Sequence, residues 1–149
     1  MVRKSNYSRA ELLMAVGRAV QAFQDATDEI DEAVARRLGL NRTDLRCLSV
    51  LAQGNGMTPS SLAEAAGLTR GAMTTALDRI ESAGYATRVW DQADRRSVRV
   101  EMTSRALKEV EILYGPMVKE GITLLKKYTT RDLAAVLTYL EDGRALQRT

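Results

Sequence analysis

The sequence predicts a mainly α fold with one small β-hairpin. Apolar residues recur at steps of three and four along most of the chain, the period falls to two only between residues 85 and 102, and caps and stops punctuate the helical stretches. The first segment runs from about residue 8 to 38. Leu13, Val16, Val20, Phe23, Ile30, Val34 and Leu38 share one helix face there, and Gly39 ends it. A helix of ~30 residues spans ~45 Å, more than a small core covers. Much of that stripe is therefore expected to face something else, a partner chain being the simplest candidate.

A second helix carries Leu45, Leu48, Val50 and Leu51 and stops at Gly54-Asn55-Gly56. Thr58 as N-cap and Pro59 in the first turn open a short third helix, with Leu62, Ala63, Ala65 and Ala66 before Gly67. Thr69 caps a fourth, bearing Met73, Ala76, Leu77 and Ile80 and ended by Ala83-Gly84. The stretches YATRVW (85–90) and SVRVEM (97–102) read as strands joined by the polar turn DQADRR, a hairpin placed as a wing. Thr103 or Ser104 caps a fifth helix. Its seam of Leu107, Val110, Tyr114, Met117, Gly121, Leu124 and Tyr128 is a pattern for helix–helix packing, and Gly115-Pro116 is expected to kink or interrupt it. Thr129 and Thr130 cap a last helix with Leu133, Val136, Leu137 and Leu140. The expected organisation is an N-terminal dimerisation helix (1–38), a winged helix-turn-helix core (39–103) and C-terminal dimerisation helices (104–149).

Composition narrows the function. The chain has 149 residues, enough for one compact domain with a helical accessory, and its formal charge of +3 mildly favours anionic partners. Of 22 basic residues 17 are Arg, whose planar fork matches phosphates and guanine edges, although a GC-rich genome gives the same excess. One Cys and no His exclude an intrachain disulfide and argue against a zinc site or His-based acid–base chemistry. No cofactor is expected. The N-terminal stretch has no apolar run long enough for a signal peptide or membrane span, so the expected location is cytoplasmic.

A short helix, a tight turn, a second helix and an arginine-tipped hairpin form a constellation suited to double-stranded DNA. The first helix braces the second, which enters a major groove while the hairpin reaches the neighbouring minor groove or backbone. Along TRGAMTTALDRIE (69–81), Arg70, Gly71, Thr74 and Thr75 lie opposite the inward arc, near the helix start. Arg can read guanine, Thr a base edge or a thymine methyl, and Gly permits close approach. Thr69 sits at the phosphate-favouring N-terminus. At the hairpin tip, Asp94 can orient an arginine while Arg95 or Arg96 enters the minor groove. Arg88 and Arg99 on the strands suit phosphates or plain surface; Ser60 and Ser61 suit phosphate donation or simple capping.

The segment LTRGAMTTALDRIESAGYATRVWDQADRRSVRVEMT resembles the winged helix-turn-helix core of MarR-family transcription regulators. The shared features are the recognition helix, the Asp78-Arg79 pair, the Gly before the first wing strand, the Asp-x-x-Asp-Arg-Arg wing and the Thr opening the next helix; flanking helices agree in order and length. The resemblance implies a homodimer held by the first and last helices, a pseudo-palindromic operator, and repression more often than activation. It also implies, for many members, release by a small phenolic or amphipathic effector. By carry-over Arg70, Thr74 and Thr75 match base-facing positions, Arg95 and Arg96 the wing tip, and Arg79 a supporting or backbone position. Val16, Val20, Phe23 and Tyr114 are candidates for an effector pocket or equally for dimer core. The chain lacks the Cys that some members carry near the start of the first helix; Cys47, among Leu45, Leu48 and Leu51, reads as a structural thiol. A winged helix reused as a protein-interaction adaptor is the alternative, although the Arg70, Thr74 and Thr75 face offers it no apolar surface. An enzyme finds no His and no Gly-rich phosphate loop, and the acidic residues of the first helix read as a solvated face.

Overall fold

The computed structural model describes residues 7–54, 56–90 and 98–146. Six helices and one hairpin follow in the order α1 (Arg9–Leu38), α2 (Arg42–Ala52), α3 (Pro59–Ala66), α4 (Arg70–Ser82), β1 (Ala86–Trp90), β2 (Val98–Met102), α5 (Ser104–Leu125) and α6 (Thr130–Leu146). The chain divides into two compact units, one running to Glu111 and the other containing the residues from Ile112 onward.

Local chemistry sets the helix boundaries of the larger unit. Ser8 and Glu11 close a reciprocal capping box at the start of α1, and Gly39, at φ +68°, turns the chain out of it. Asn41 and Asp44 form a second box on α2. Thr58 and Thr69 accept the amides of Ser61 and Ala72 to cap α3 and α4. The core then assembles from the faces that periodicity selects. Leu45, Cys47, Leu48 and Leu51 of α2, Leu62, Ala63 and Ala66 of α3, and Met73, Ala76, Leu77 and Ile80 of α4 are all buried. Val34, Ala35 and Leu38 join them from the last turns of α1. The rest of the α1 stripe remains open: Leu13, Val16 and Phe23 are exposed, Phe23 by 73%.

β1 and β2 pair antiparallel, with Arg88 opposite Val100 and Trp90 opposite Val98. Val100 also exchanges two backbone hydrogen bonds with Met57 (3.1 and 2.7 Å), so the α2–α3 connection contributes a single-residue third strand. Gly56 precedes that bridge at φ +85°, a left-handed conformation that an L side chain rarely adopts. Its carbonyl accepts from Arg99 Nη2 at 2.6 Å.

Asp44 is the one buried charge among the described residues, 1% exposed. Its carboxylate receives Arg79 Nε at 2.9 Å and Nη2 at 2.6 Å, a bidentate pair joining α2 to α4 across 35 residues of sequence. The same hydrogen bonds push the Arg79 guanidinium above its ordinary pKa.

In the smaller unit, α6 is capped by Thr129, which exchanges hydrogen bonds with Asp132 and holds that carboxyl below its usual range. For α5, interruption at Gly115-Pro116 and extension to Tyr128 are not observed. The helix continues through Gly115 and Pro116 without interruption, because a proline removes one amide donor while the flanking bonds of a long helix persist. It also stops at Leu125, short of Tyr128, where Lys127 and Tyr128 donate to Leu124 and Leu125 in tighter turns.

Replacing Asp44 by Ala removes a cap and both hydrogen bonds to the Arg79 guanidinium. It is expected to lower stability by about 2 kcal/mol, measured as a shift of the urea midpoint; an unchanged midpoint would show that the pair adds nothing. Cys47 is fully buried, and burial above all pushes its thiol pKa up. Its modification by an aromatic disulfide reagent should therefore wait on unfolding, and rapid reaction of the native protein would contradict the packing described.

Candidate nucleic-acid interface

The helix-turn-helix is built by α3, the three residues Gly67-Leu68-Thr69, and α4. Gly67 adopts φ +66°, and Leu68 N donates back to Ala63 O at 2.8 Å, closing α3 and turning the chain. Four α4 residues lock the second helix in place: Met73, Ala76, Leu77 and Ile80 are each at most 1% exposed. The opposite arc is open, with Thr69, Arg70, Gly71, Thr74 and Thr75 all exposed. Arg70 makes no ion pair among the described residues. Thr74 Oγ1 donates to Arg70 O at 3.0 Å and Thr75 Oγ1 to Gly71 O at 3.1 Å. The first intrahelical bond of this segment runs from Met73 N to Thr69 O, so the amides of Arg70 and Gly71 lie ahead of it at the positive end of the helix.

Other residues singled out from the sequence have different surroundings. Ser60 is exposed at the start of α3; Ser61 is half-buried and bonded to Thr58 through both its amide and its hydroxyl. Arg79 is held by Asp44, although 44% of its side chain remains accessible. Arg88 does not stand free either. Its amide and guanidinium bind Glu81, and Nη2 reaches Asp78 Oδ1 at 3.2 Å, so it clamps β1 onto α4. Asp94, Arg95 and Arg96 lie outside the described residues.

The effector candidates are not gathered by either of two clefts on the larger unit. One, of about 360 Å³, is lined by Asp31, Arg42, Thr43, Leu45, Arg46 and Ser49. The other, of about 370 Å³, lies between the end of α2, Glu101 and Leu107. Val16 and Phe23 are exposed on α1 and Val20 is half-buried; in α5, Tyr114 is half-buried. No group of acidic or sulfur side chains among the described residues could hold a metal ion, and no helix is long and apolar enough to cross a membrane.

Sequence reading missed Asp44, whose partner lies 35 positions away. The available signal was local: an Asn41-x-x-Asp44 box ahead of Leu45 and Leu48. The adjacent residues Asp78 and Arg79 are sent by the fold to Arg88 and Asp44 respectively.

Comparison with known proteins agrees with this architecture. The MarR family model matches residues 38–97. The chain is 30% identical to the uncharacterized HTH-type transcriptional regulator YcgE of Bacillus subtilis over 133 residues, covering 89% of this chain and 86% of that one. Among solved structures, a MarR-family transcriptional regulator from Silicibacter pomeroyi superposes with a TM-score of 0.64 at 22% identity, covering 87% of this chain and 88% of the other. A MepR mutant from S. aureus bound to an oligodeoxyribonucleotide does so with a TM-score of 0.60 at 16% identity, covering 89% and 97%. The chain belongs to the MarR family of winged-helix transcriptional regulators, which bind DNA and are not enzymes.

Proposed function

We propose that two copies of this chain form a homodimer that binds a pseudo-palindromic operator sequence-specifically and represses transcription, with release by a small amphipathic ligand. The observation that carries this reading is the open arc of α4: an arginine with no ion pair among the described residues, beside Gly71, Thr74 and Thr75, on a helix whose opposite arc is buried. That arc can enter a major groove without displacing any core side chain, with Arg70 supplying a bidentate fork to guanine. In the resulting complex Thr69 and Ser60 contact phosphate. Arg95 and Arg96 grip the adjoining minor groove or backbone, with Asp94 orienting them.

Pairing is supported within each unit separately. α1 leaves Leu13, Val16 and Phe23 exposed over several turns, and the described residues of α6 expose Val136, Leu137 and Leu140. Apolar surface on this scale is expected to be covered. On this reading 1–38 and 104–149 supply dimerisation and 39–103 binds DNA, in the cytoplasm. Effector release draws its support from apolar or amphipathic side chains, Val16, Val20 and Phe23 on α1 and Tyr114 on α5, left accessible on their own elements.

Two recognition helices in successive major grooves place the half-site centres ~34 Å apart. The Arg70→Ala variant is expected to lose ~1–3 kcal/mol of preference for its operator over base-substituted versions, read by competition gel shift with the upstream region of its own gene. Arg95→Ala combined with Arg96→Ala should weaken binding to all sequences and flatten the dependence of affinity on salt; identical salt slopes would remove the wing from the interface. Light scattering should give twice the mass of one chain, and a monomer at micromolar concentration would reject the paired arrangement. A panel of small phenolic compounds should contain one that dissociates the complex, which would otherwise stand as a repressor without an effector.

A further inference from the structure

The hairpin has two faces, and its chemistry is unevenly divided between them. Directly opposed residues share a face, so Ala86, Arg88 and Trp90 of β1 lie with Met102, Val100 and Val98 of β2. Ala86 and Val100 are buried, at 4% and 0% exposure, which makes this the inner face. Thr87, Val89, Arg99 and Glu101 form the outer one. Arg88 confirms the orientation, because its guanidinium spans Glu81 and Asp78 on α4. Trp90 belongs to the inner face, yet 64% of it is exposed. An apolar side chain on the inner face is thus left largely uncovered at the last described residue of β1.

Strand geometry locates it. Two residues beyond Arg88, Trp90 stands about 7 Å farther along β1. Passing from Glu81 to Asp78, the Arg88 side chain already heads toward the start of α4. Trp90 therefore lies on the same hairpin face as Arg88, the face through which that residue reaches Glu81 and Asp78 of α4. The half-buried Val98 lies directly across from it. With α4 in a major groove and the hairpin tip in the adjoining minor groove, the sugar-phosphate strand that separates the two grooves must pass through the angle between helix and hairpin.

We propose that Trp90 is a DNA-contacting residue: its indole packs against deoxyribose in that intervening strand and its Nε1–H donates to a phosphate oxygen. This rests on the DNA-binding reading above and adds to it a contact that carries no charge and reads no base. An aromatic ring suits that surface because it offers a large rigid apolar area with one polar atom at its edge, and it loses little conformational freedom on docking.

Trp90 is the only tryptophan in the chain, so its emission reports this one position. The test uses the full-length protein and a mixed-sequence duplex of about 30 base pairs at low salt, where backbone contacts dominate. Titration should shift and quench the emission to saturation, and iodide should quench the indole less in the complex than in the free protein. Trp90→Ala should weaken duplex binding about tenfold with an unchanged salt slope and thermal midpoint, while Trp90→Phe should recover most of the loss. Emission and iodide access that stay unchanged while a gel shift shows the complex formed would overturn the contact and leave the α4 reading intact. Wild-type binding by Trp90→Ala would do the same. Failure of the wild-type protein to bind any duplex would overturn both.

Discussion

The ion pair between Asp44 and Arg79 is the constraint on which the rest of the structure depends. A carboxylate with 1% exposure must be compensated, and Arg79 does so with two parallel hydrogen bonds. Asp44 also belongs to the cap of α2, so the pair fixes the start of one helix to the third turn of another. Rotation of α4 about its axis would withdraw Arg79 and leave that charge stranded. The apolar contacts of Met73, Ala76, Leu77 and Ile80 are non-directional and tolerate small rotations; the bidentate pair does not. The buried apolar arc and this pair on its flank together settle which side chains α4 shows to solvent.

Most of the architecture was legible because it is local. Caps at Thr58 and Thr69, glycines at 39 and 67 and the change of period at Tyr85 each act within a few residues, and each lies where the sequence pattern puts it. What escaped involves long separations. The Met57–Val100 bridge adds a strand of one residue, too short for any periodicity to show. The destinations of Arg79 and Arg88 escaped for a different reason. An arginine in sequence announces only that a charge needs a partner, and both side chains reach carboxylates of the same chain, Asp44 for one and Asp78 with Glu81 for the other. Arg70 is distinguished from them by its three-dimensional surroundings alone.

Arg88 also bears on how the hairpin is carried. Asp78 and Glu81 place two negative charges on the helix proposed to enter a groove lined by phosphates. A guanidinium held between them neutralises much of that charge and fastens the base of the hairpin in the same act. On its other edge the hairpin is held by the Met57 bridge and by Arg99 on the Gly56 carbonyl. Helix and hairpin thus form one framework rather than two independently placed arms.

The hydroxyls of Thr74 and Thr75 carry a final consequence. Each has its proton committed to a carbonyl one turn back in the helix, so each turns outward a lone pair and a methyl group and no hydrogen. Adenine and cytosine present amino hydrogens in the major groove and thymine a methyl, whereas guanine presents acceptors only. A threonine in this state is therefore blind to guanine, and the guanidinium of Arg70 is the nearby group that favours it. If α4 enters a major groove as proposed, the two residue types on this one helix would favour different bases.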